Sequence, residues 1–189
     1  MVARLASLDA IAAEVWRELE RAVNERATPP HAWRTPVLAT ADGESADART
    51  VVLREADAAT RTLRIYTDQR SPKVAQLLSH PLSTLVMWSP QLGWQLRCRV
   101  RLSLEDDGLA VSSRWAHVKL SPAAQDYLSP TPPGSPLAEP STAPTHEAVA
   151  RTHFAVIVAQ VLAIDWLELH PEGHRRALFD GSSARWLQP

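Results

Sequence analysis

Basic and hydroxyl side chains recur in three short stretches, in a pattern that could bind an anion. Arg49 and Arg54 fall on one predicted strand, Thr67 lies at the end of the next strand, and Ser71 and Lys73 lie at the start of a predicted helix. A helix N-terminus offers unpaired N–H groups, hydroxyls donate hydrogen bonds, and Arg and Lys supply charge that compensates a phosphate. The stretches therefore predict an anion site.

The same residues also have an ordinary structural explanation, which their spacing leaves open. Ser71 could be only the N-cap of the helix. The basic residues, including Arg70 in the same stretch, could be solvated positions on strands and turns, where charged side chains are common. The order of the residues along the chain is therefore needed to decide between the two.

The first half of the chain contains the elements that would position these stretches. An apolar three-to-four spacing behind a serine predicts an amphipathic helix over about residues 8–25. Period-two apolar patterns with turn signals predict short strands, and a Ser-Pro pair predicts the start of a two-turn helix. The predicted strands cover residues 36–42, 48–55, 62–68, 83–88 and 94–105, and the short helix covers residues 73–79.

The second half begins with a predicted helical region that starts at Asp107. Residues 129–145 contain too many prolines for a helix or strand and predict an extended loop. An apolar, β-branched run over residues 153–169 and a closing hairpin that turns at Asp180 complete the chain. This order predicts a mainly β protein, an antiparallel β-barrel or sandwich with flanking helices, in a single domain over residues 1–189.

Composition excludes several functional classes. The 189 residues include 20 Lys and Arg against 21 Asp and Glu, and this balance argues against a broad nucleic-acid surface. The single Cys cannot form an internal disulfide, and no apolar run approaches the roughly 18 residues that span a membrane. The charged N-terminal stretch is unlike a signal peptide, so we expect a cytoplasmic protein with no nucleic-acid or membrane partner. No Gly-x-Gly-x-x-Gly motif is present to bind a dinucleotide.

The order of the basic stretches resembles one known family. Residues 48–54, 63–68 and 70–75 resemble the pyridoxamine 5'-phosphate oxidase family of FMN-binding split β-barrels. In that family an Arg-x-Val-x-Leu-Lys/Arg strand, a Tyr-Thr strand end and a Ser-x-Lys helix start hold the phosphate and ribityl chain of FMN. The resemblance continues through residues 81–97 and resumes over residues 164–176.

The resemblance implies a six-stranded antiparallel split β-barrel and a homodimer with FMN at the subunit interface. The cofactor-binding residues that it implies are Arg49, Thr50, Val51, Val52, Arg54, Tyr66, Thr67, Ser71, Lys73, Gln95 and Arg176. Among these, the family comparison places Arg49 and Lys73 near the phosphate, with Thr67 and Ser71. It places Arg54 and Gln95 nearer the isoalloxazine ring or substrate, and Arg176 on the neighbouring subunit.

Several residues depart from the pattern of true pyridoxine and pyridoxamine 5'-phosphate oxidases. Pro72 stands where those enzymes typically carry a second basic residue, and Glu172 stands where their Arg-x-His pair has its arginine. Their Tyr, Arg and Ser cluster for the substrate phosphate has no clean match, with only rough substitutes. These substitutes are Arg114, Lys119 and Tyr127.

The resemblance therefore implies an FMN-binding flavoprotein, an oxidoreductase acting on a small substrate that the sequence does not identify. The alternatives are an authentic pyridoxine or pyridoxamine 5'-phosphate oxidase and a non-catalytic module that binds FMN, haem or a deazaflavin. Arg54 and His174 are candidate catalytic residues, although a lone histidine more often lies on a surface. The histidines show no metal-ligand spacing with one another or with Cys98, so we expect no metal site.

Overall fold

The computed structural model describes residues 4–25, 27–121, 124, 127–137 and 153–189. Within these residues, three helices flank nine strands, and a 3₁₀ turn at Ala32–Arg34 precedes the first strand. The helices are α1 (Leu8–Asn24), α2 (Pro72–Ser79) and α3 (Gly108–Val118). The strands are β1 (Val37–Ala41), β2 (Ala46–Thr50), β3 (Leu53–Asp57), β4 (Thr62–Asp68), β5 (Leu82–Ser89), β6 (Trp94–Glu105), β7 (Phe154–Glu168), β8 (Arg175–Asp180) and β9 (Ser183–Leu187).

The predicted N-terminal helix is present and ends one residue earlier than expected, at Asn24. The Ser7 hydroxyl accepts a hydrogen bond from the Ala10 N–H at 3.2 Å, which satisfies one of the free donors of the first turn. Ile11 and Val15, one turn apart, are fully buried in the main core. The apolar stripe read from the sequence therefore faces the sheet.

All nine strands belong to one antiparallel sheet. The order is β2-β1-β5-β6-β7-β4-β3, with β8 on β7 and β9 on β8. In the described chain, the two end strands β2 and β3 are not hydrogen-bonded to each other, so the sheet stays open, consistent with a split barrel. The mainly β split-barrel fold is therefore confirmed, with nine strands rather than the six expected.

The predicted single strand over residues 48–55 is two strands. β2 pairs with β1 and β3 pairs with β4, so the chain changes partners at Val51 and Val52. The Val51 N–H donates to the Pro36 carbonyl at 2.9 Å instead of extending the ladder. β2 and β3 are the edge strands at opposite ends of the sheet, and only two residues connect them. The sheet must therefore curl until these two edges come close together. Arg49 and Arg54 consequently lie on opposite edges that meet.

The alternation predicted for β6 is present. Leu96, Cys98 and Val100 are fully buried, whereas Arg97 and Arg99 between them are exposed. Burial raises the pKa of the Cys98 thiol to about 12, which keeps it protonated as a small core residue. One face of β6 therefore belongs to the core and the other is charged.

A second, smaller core lies between α3 and the start of β7. Phe154 and Val156 of β7 pack there against Val111, Val118 and Tyr127. The rings of Tyr66 and Phe154 meet edge to face, with centroids 5.1 Å apart. This core fixes the end of β4 and the start of the proline-rich segment in one place.

Gly93, in the turn between β5 and β6, adopts a left-handed conformation with φ of +66°. A Cβ at this position would lie 2.8 Å from the carbonyl oxygen of Leu169, a backbone atom that cannot move aside. We expect Gly93→Ala to lower the free energy of unfolding in urea by about 2–3 kcal/mol. Gly181→Ala is the control, because φ is +58° there and nothing lies within 4 Å. Equal losses for the two variants would contradict the steric argument.

Residues 129–137 of the proline-rich segment contain neither helix nor strand, as expected, and residues 138–145 lie outside the described residues. The Ser121-Pro122 pair also predicts the start of a second helical piece, which extends to residue 128, and residues 122, 123, 125 and 126 of it lie outside the described residues. No helix of the described chain is long and apolar enough to cross a membrane. The single-domain organisation over residues 1–189 stays a prediction.

Candidate functional site

Eight of the eleven cofactor-binding residues implied by the resemblance line one cavity of about 260 Å³, which we call the cation pocket. They come from β2, the β2–β3 connection, β3, β4 and α2. They are Arg49, Thr50, Val51, Val52, Arg54, Tyr66, Thr67 and Lys73. The remaining lining residues are Ile65, Asp68, Tyr127 and Pro133. Residues that are up to 24 positions apart in sequence therefore meet because the two sheet edges meet.

Lys73 is the side chain of the cation pocket that most clearly indicates an anion ligand. Its Nζ donates to the hydroxyl of Ser71 at 2.6 Å and to that of Thr67 at 3.3 Å. Burial lowers the pKa of Lys73, and the positive charge of Arg49 lowers it further, against the weaker opposing effect of Asp68. Among the described residues, Lys73 forms no ion pair. A half-buried cation beside a second cation is stabilised by an anion.

Ser71 is the N-cap residue of α2, as its position before Pro72 predicted, but its side chain does not cap the helix. Its side chain makes no capping hydrogen bond at α2 and instead accepts one from Lys73. Ser71 is only 5% exposed, so its hydroxyl is directed toward Lys73 rather than toward solvent. The Thr67 hydroxyl donates to the carbonyl of Asp68 at 3.2 Å. The hydroxyls of Ser71 and Thr67 thus flank the ammonium group of Lys73.

Arg49 is held rigidly at the edge of the cation pocket. Its guanidinium donates to the hydroxyl of Thr40 at 2.5 Å and to the side-chain oxygen of Gln76 at 2.8 Å, and it contacts the carboxylate of Asp47. Asp47 is half exposed, so water screens its charge and the cation keeps much of its attraction for other anions. Gln76 lies three residues after Lys73 on α2, and this helical spacing could have identified it from the sequence.

Arg54 lies where the register of β3 shifts between Leu53 and Glu55. Such bulges redirect a side chain, and the guanidinium carbon of Arg54 lies 5.7 Å from the ring centroid of Tyr66. The Nε of Arg54 is buried without a hydrogen-bond partner in the described structure. A ligand acceptor in the cation pocket would satisfy this donor.

Tyr66 presents its ring, not its hydroxyl, to Arg54. The hydroxyl donates to Glu55 at 2.8 Å. Burial, and then the hydrogen bond to Glu55, raise the pKa of Tyr66 well above its ordinary value. Tyr66 therefore stays protonated and acts here as a packing and positioning residue.

Arg70 does not join the anion site that its position in the sequence suggested. It donates to both carboxylate oxygens of Asp68, at 3.0 and 2.6 Å, and to the carbonyls of Ser129 at 2.8 Å and Pro130 at 3.1 Å. Although burial raises the pKa of Asp68, the hydrogen bonds from Arg70 outweigh this and hold it below the ordinary value. The charge of Arg70 is therefore neutralised by a neighbouring carboxylate.

Gln95 and Arg176 do not line the cation pocket within one chain. Both are register partners of Leu167 on the central strand β7, so they lie on the same face of the sheet. Arg176 donates to the two carboxylate oxygens of Asp165 at 2.9 and 2.7 Å. A single chain therefore presents these two residues together, away from the other predicted cofactor residues.

His174 lies in the exposed turn between β7 and β8. Its Nδ1 accepts a hydrogen bond from the backbone N–H of His170 at 3.1 Å, which stabilises that turn. It does not line the cation pocket of its own chain. Among the described residues, no group of three or more His, Cys, Asp or Glu side chains comes together to hold a metal.

A second cavity of about 360 Å³ adjoins the first and shares Tyr66 with it. Arg114 of α3 lines it and donates to both oxygens of Glu55, at 2.6 and 2.9 Å. Of the other two substitutes suggested for a phosphate cluster, Tyr127 lines the cation pocket and Lys119 is exposed at the end of α3. The three substitutes therefore do not form one cluster.

A larger cavity, of about 500 Å³, lies elsewhere on the sheet. Arg99 lines it, and the guanidinium of Arg99 lies 3.6 Å from the carboxylate of Asp180, which lines the same cavity. Its lining includes no cation without a facing carboxylate, so volume alone does not make it the better anion site.

The open antiparallel sheet with flanking helices is the split-barrel architecture, and sequence comparison identifies its type. Residues 13–105 match the family model described as "Pyridoxamine 5'-phosphate oxidase, FMN-binding domain". The resemblance read from the sequence is therefore confirmed over these residues, which match the FMN-binding domain of the pyridoxamine 5'-phosphate oxidase family. No curated protein sequence matches the chain significantly.

Solved structures with the same fold are distant in sequence. A pyridoxamine 5'-phosphate oxidase-related, FMN binding protein from Nostoc punctiforme is 24% identical, with a TM-score of 0.69, over 98% of this chain and 100% of that chain. PhzG from Burkholderia lata, solved with tetrahydrophenazine-1-carboxylic acid, is 14% identical, with a TM-score of 0.69, over 97% and 94%. At these identities the likeness establishes the fold.

Proposed function

We propose that this protein binds FMN with the phosphate in the cation pocket and acts as a flavin-dependent oxidoreductase on a small substrate. The observation that carries the proposal is Lys73, a half-buried cation next to Arg49 that forms no ion pair in the described structure. The match to an FMN-binding family model over the same residues supports a flavin phosphate as the anion.

The side chains present fit the phosphate end of FMN. Lys73 and Arg49 would supply charge, and the hydroxyls of Ser71 and Thr67 would complete the hydrogen bonds. The buried Nε of Arg54 would gain an acceptor. FMN itself supplies hydride and electron transfer, whereas these residues bind and orient it.

We propose further that the site is completed in a homodimer. The cation pocket measures about 260 Å³, below the roughly 300–1,000 Å³ typical of small-molecule sites, so one chain encloses only part of a flavin. Gln95 lies opposite Trp88, which is 44% exposed, on the outer face of the sheet. Aromatic residues are enriched in protein interfaces, so an exposed tryptophan beside a predicted cofactor residue is consistent with an interface between two chains.

The structure supports two alternative functions less well. An authentic pyridoxine or pyridoxamine 5'-phosphate oxidase needs a free basic group for the substrate phosphate, but Glu55 already pairs with Arg114. Haem needs an axial ligand, and the described lining of the cation pocket contains no histidine. PhzG shows that this fold accommodates a polycyclic carboxylic acid, so a substrate without phosphate suits the architecture.

The test begins with the visible absorption spectrum of the purified protein after addition of excess FMN and desalting. A flavin spectrum in the protein fraction, with FMN identified by chromatography after heat release, would support the proposal and justify a substrate screen. A colourless protein would overturn it, and a Soret band without flavin would favour haem. Sedimentation of the loaded protein as a dimer would support the shared site, whereas a loaded monomer would contradict it.

Arg49→Ala should weaken FMN binding by about 10- to 150-fold, because one charge-assisted hydrogen bond contributes about 1.5–3 kcal/mol. The measurement is a fluorescence titration of FMN at fixed ionic strength. Arg17→Ala, which removes an exposed arginine paired with Glu14 on α1, is the matched control and should leave the titration unchanged. An unchanged curve for Arg49→Ala would contradict the assignment.

The cytoplasmic location and the absence of nucleic-acid, membrane and metal partners stay predictions from the sequence. They are independent of the flavin proposal.

A further inference from the structure

We propose that residues 127–137, here called the proline strap, form a wall of the cation pocket, and that Arg70 is the positioning residue that holds this wall in place. The ligand named in the test rests on the proposed function, whereas the attachment of the strap does not.

The strap reaches the cation pocket at two points. Tyr127 and Pro133 line the same cavity as Lys73 and Arg49. Tyr127 is 8% exposed, and its ring meets that of Phe154 edge to face at 5.3 Å. The start of the strap is therefore fixed in the smaller core, and its middle faces the cations.

Arg70 attaches the strap next to that wall. Its guanidinium donates to the carbonyls of Ser129 at 2.8 Å and Pro130 at 3.1 Å, while Asp68 holds its other side at 2.6 and 3.0 Å. An arginine has five donors in a planar arrangement, so it can bind a carboxylate and two carbonyls at once, whereas a lysine cannot reproduce this geometry. Arg70 thus joins the end of β4 to the strap.

The strap also passes near the start of α2. Gly134 adopts φ of +86°, and a Cβ there would lie 3.5 Å from the ring of Pro72. Pro72 lies between Ser71 and Lys73, so the strap passes close to the half-buried ammonium group. The strap therefore runs from the smaller core, past the Asp68–Arg70 pair, to the helix that carries Lys73.

This arrangement makes the strap a determinant of ligand exchange. Residues 129–137 form no helix or strand, and the strap is attached to the rest of the described structure by the hydrogen bonds from Arg70 and by the packing of Tyr127 in the smaller core. Segments with few such contacts open locally at low free-energy cost. Weakening the Arg70 attachment should therefore open the wall and speed both entry and release of a ligand.

Arg70→Lys tests this role, because it keeps the positive charge beside Asp68 and removes the planar donor set. In the ligand-free protein we expect hydrogen exchange of the Thr131 and Ser135 amides, which donate to acceptors within the strap, to accelerate by about 10- to 100-fold, with exchange in β6 unchanged. In stopped-flow experiments with FMN, we expect dissociation to accelerate by about the same factor and association to rise less.

Pro133→Ala is the second variant, because it trims the wall without touching Asp68 or Arg70. It should also speed FMN dissociation, with the thermal unfolding midpoint near that of the wild type. Arg17→Lys, which alters an exposed ion pair on α1, is the matched control and should change neither exchange nor dissociation.

If Arg70→Lys leaves strap exchange unchanged, or opens the strap without altering FMN dissociation, the proposal is overturned. If the wild-type protein does not retain FMN, the proposed function fails, and the exchange of the strap alone decides whether Arg70 holds it.

Discussion

Lys73→Met should weaken FMN binding by about 10- to 150-fold, the loss expected for a charge-assisted hydrogen bond to a phosphate in a partly buried site. Methionine keeps the length and apolar character of the lysine stem, so the change removes the ammonium group with little loss of packing. The expected loss is larger than for an exposed lysine because Lys73 is shielded from water and flanked by Ser71 and Thr67.

The same substitution should not reduce the stability of the FMN-free protein. The ammonium group of Lys73 is desolvated and lies near the cation of Arg49, and both effects lower its pKa, so in the absence of an anion the charge is unfavourable. Removing it should leave the free energy of unfolding unchanged or slightly higher. A binding residue that costs stability is common in functional sites.

The chain provides its own control, since Lys119 is its other lysine and is exposed at the end of α3. The FMN titration and urea unfolding of Lys73→Met and Lys119→Met can be compared directly. We expect weaker binding for the first variant alone. If Lys73→Met loses stability and affinity together, the lysine supports the fold, and the assignment to a phosphate is wrong.

Much of the fold can be predicted from local sequence pattern. In a strand with one buried face, apolar and polar residues alternate with period two, whichever strands it pairs with. The limits of β4 and β6 agree with the prediction for this reason. The break at Val51 and Val52 could not be predicted in the same way. Both halves have strand-like sequences, and the break arises because β2 and β3 pair with different neighbours, which is a property of the whole sheet.

The candidate site divides along similar lines. The order of the basic and hydroxyl residues predicted that Arg49, Thr67 and Lys73 belong together, and the structure places them in one cavity. The pairing of Arg70 with Asp68 was not predicted. Each arginine has several carboxylates nearby in the sequence, and the packing of the folded chain determines which of them becomes its partner. Gln95 and Arg176 lie elsewhere in a single chain, so their predicted role depends on a second chain.

Arginine pairing therefore decides which basic residues remain available for a ligand. Arg114 is neutralised by Glu55, and Arg176 by Asp165, in each case through two hydrogen bonds. Lys73 and Arg54 form no such ion pair in the described structure. Of these two neighbouring cavities, the cation pocket is the one with cations that form no ion pair in the described structure, which is why we place the phosphate there rather than at α3.

Glu168→Gln should produce the largest loss of stability, about 3 kcal/mol. Glu168 is 5% exposed and accepts hydrogen bonds from Arg175 at 2.8 and 3.0 Å and from Arg4 at 2.8 Å. A glutamine of the same size would leave two guanidinium groups without their carboxylate. We place the loss at the low end of the range for buried ion pairs, because both arginines are partly exposed and water can hydrate them. Urea unfolding at pH 7 measures it, with Glu14→Gln as a control, because the side chain of Glu14 is 24% exposed and its ion-pair partner is the exposed Arg17, so stability should change by about 0.5 kcal/mol or less.

The effect of Glu168→Gln should also depend on pH in a defined direction. Burial alone would raise the pKa of Glu168, but the hydrogen bonds from Arg175 and Arg4 outweigh it and hold the pKa below the ordinary value of 4.5. A carboxyl group whose pKa is lower in the folded state stabilises the fold above its unfolded pKa, and this contribution is lost as the pH falls through the folded value. The difference in stability between wild type and Glu168→Gln should therefore be constant above about pH 5 and narrow progressively below pH 4.5. A difference that stays constant down to about pH 3 would mean that the ion pairs with Arg175 and Arg4 contribute nothing, and that the glutamine destabilises the protein by packing alone.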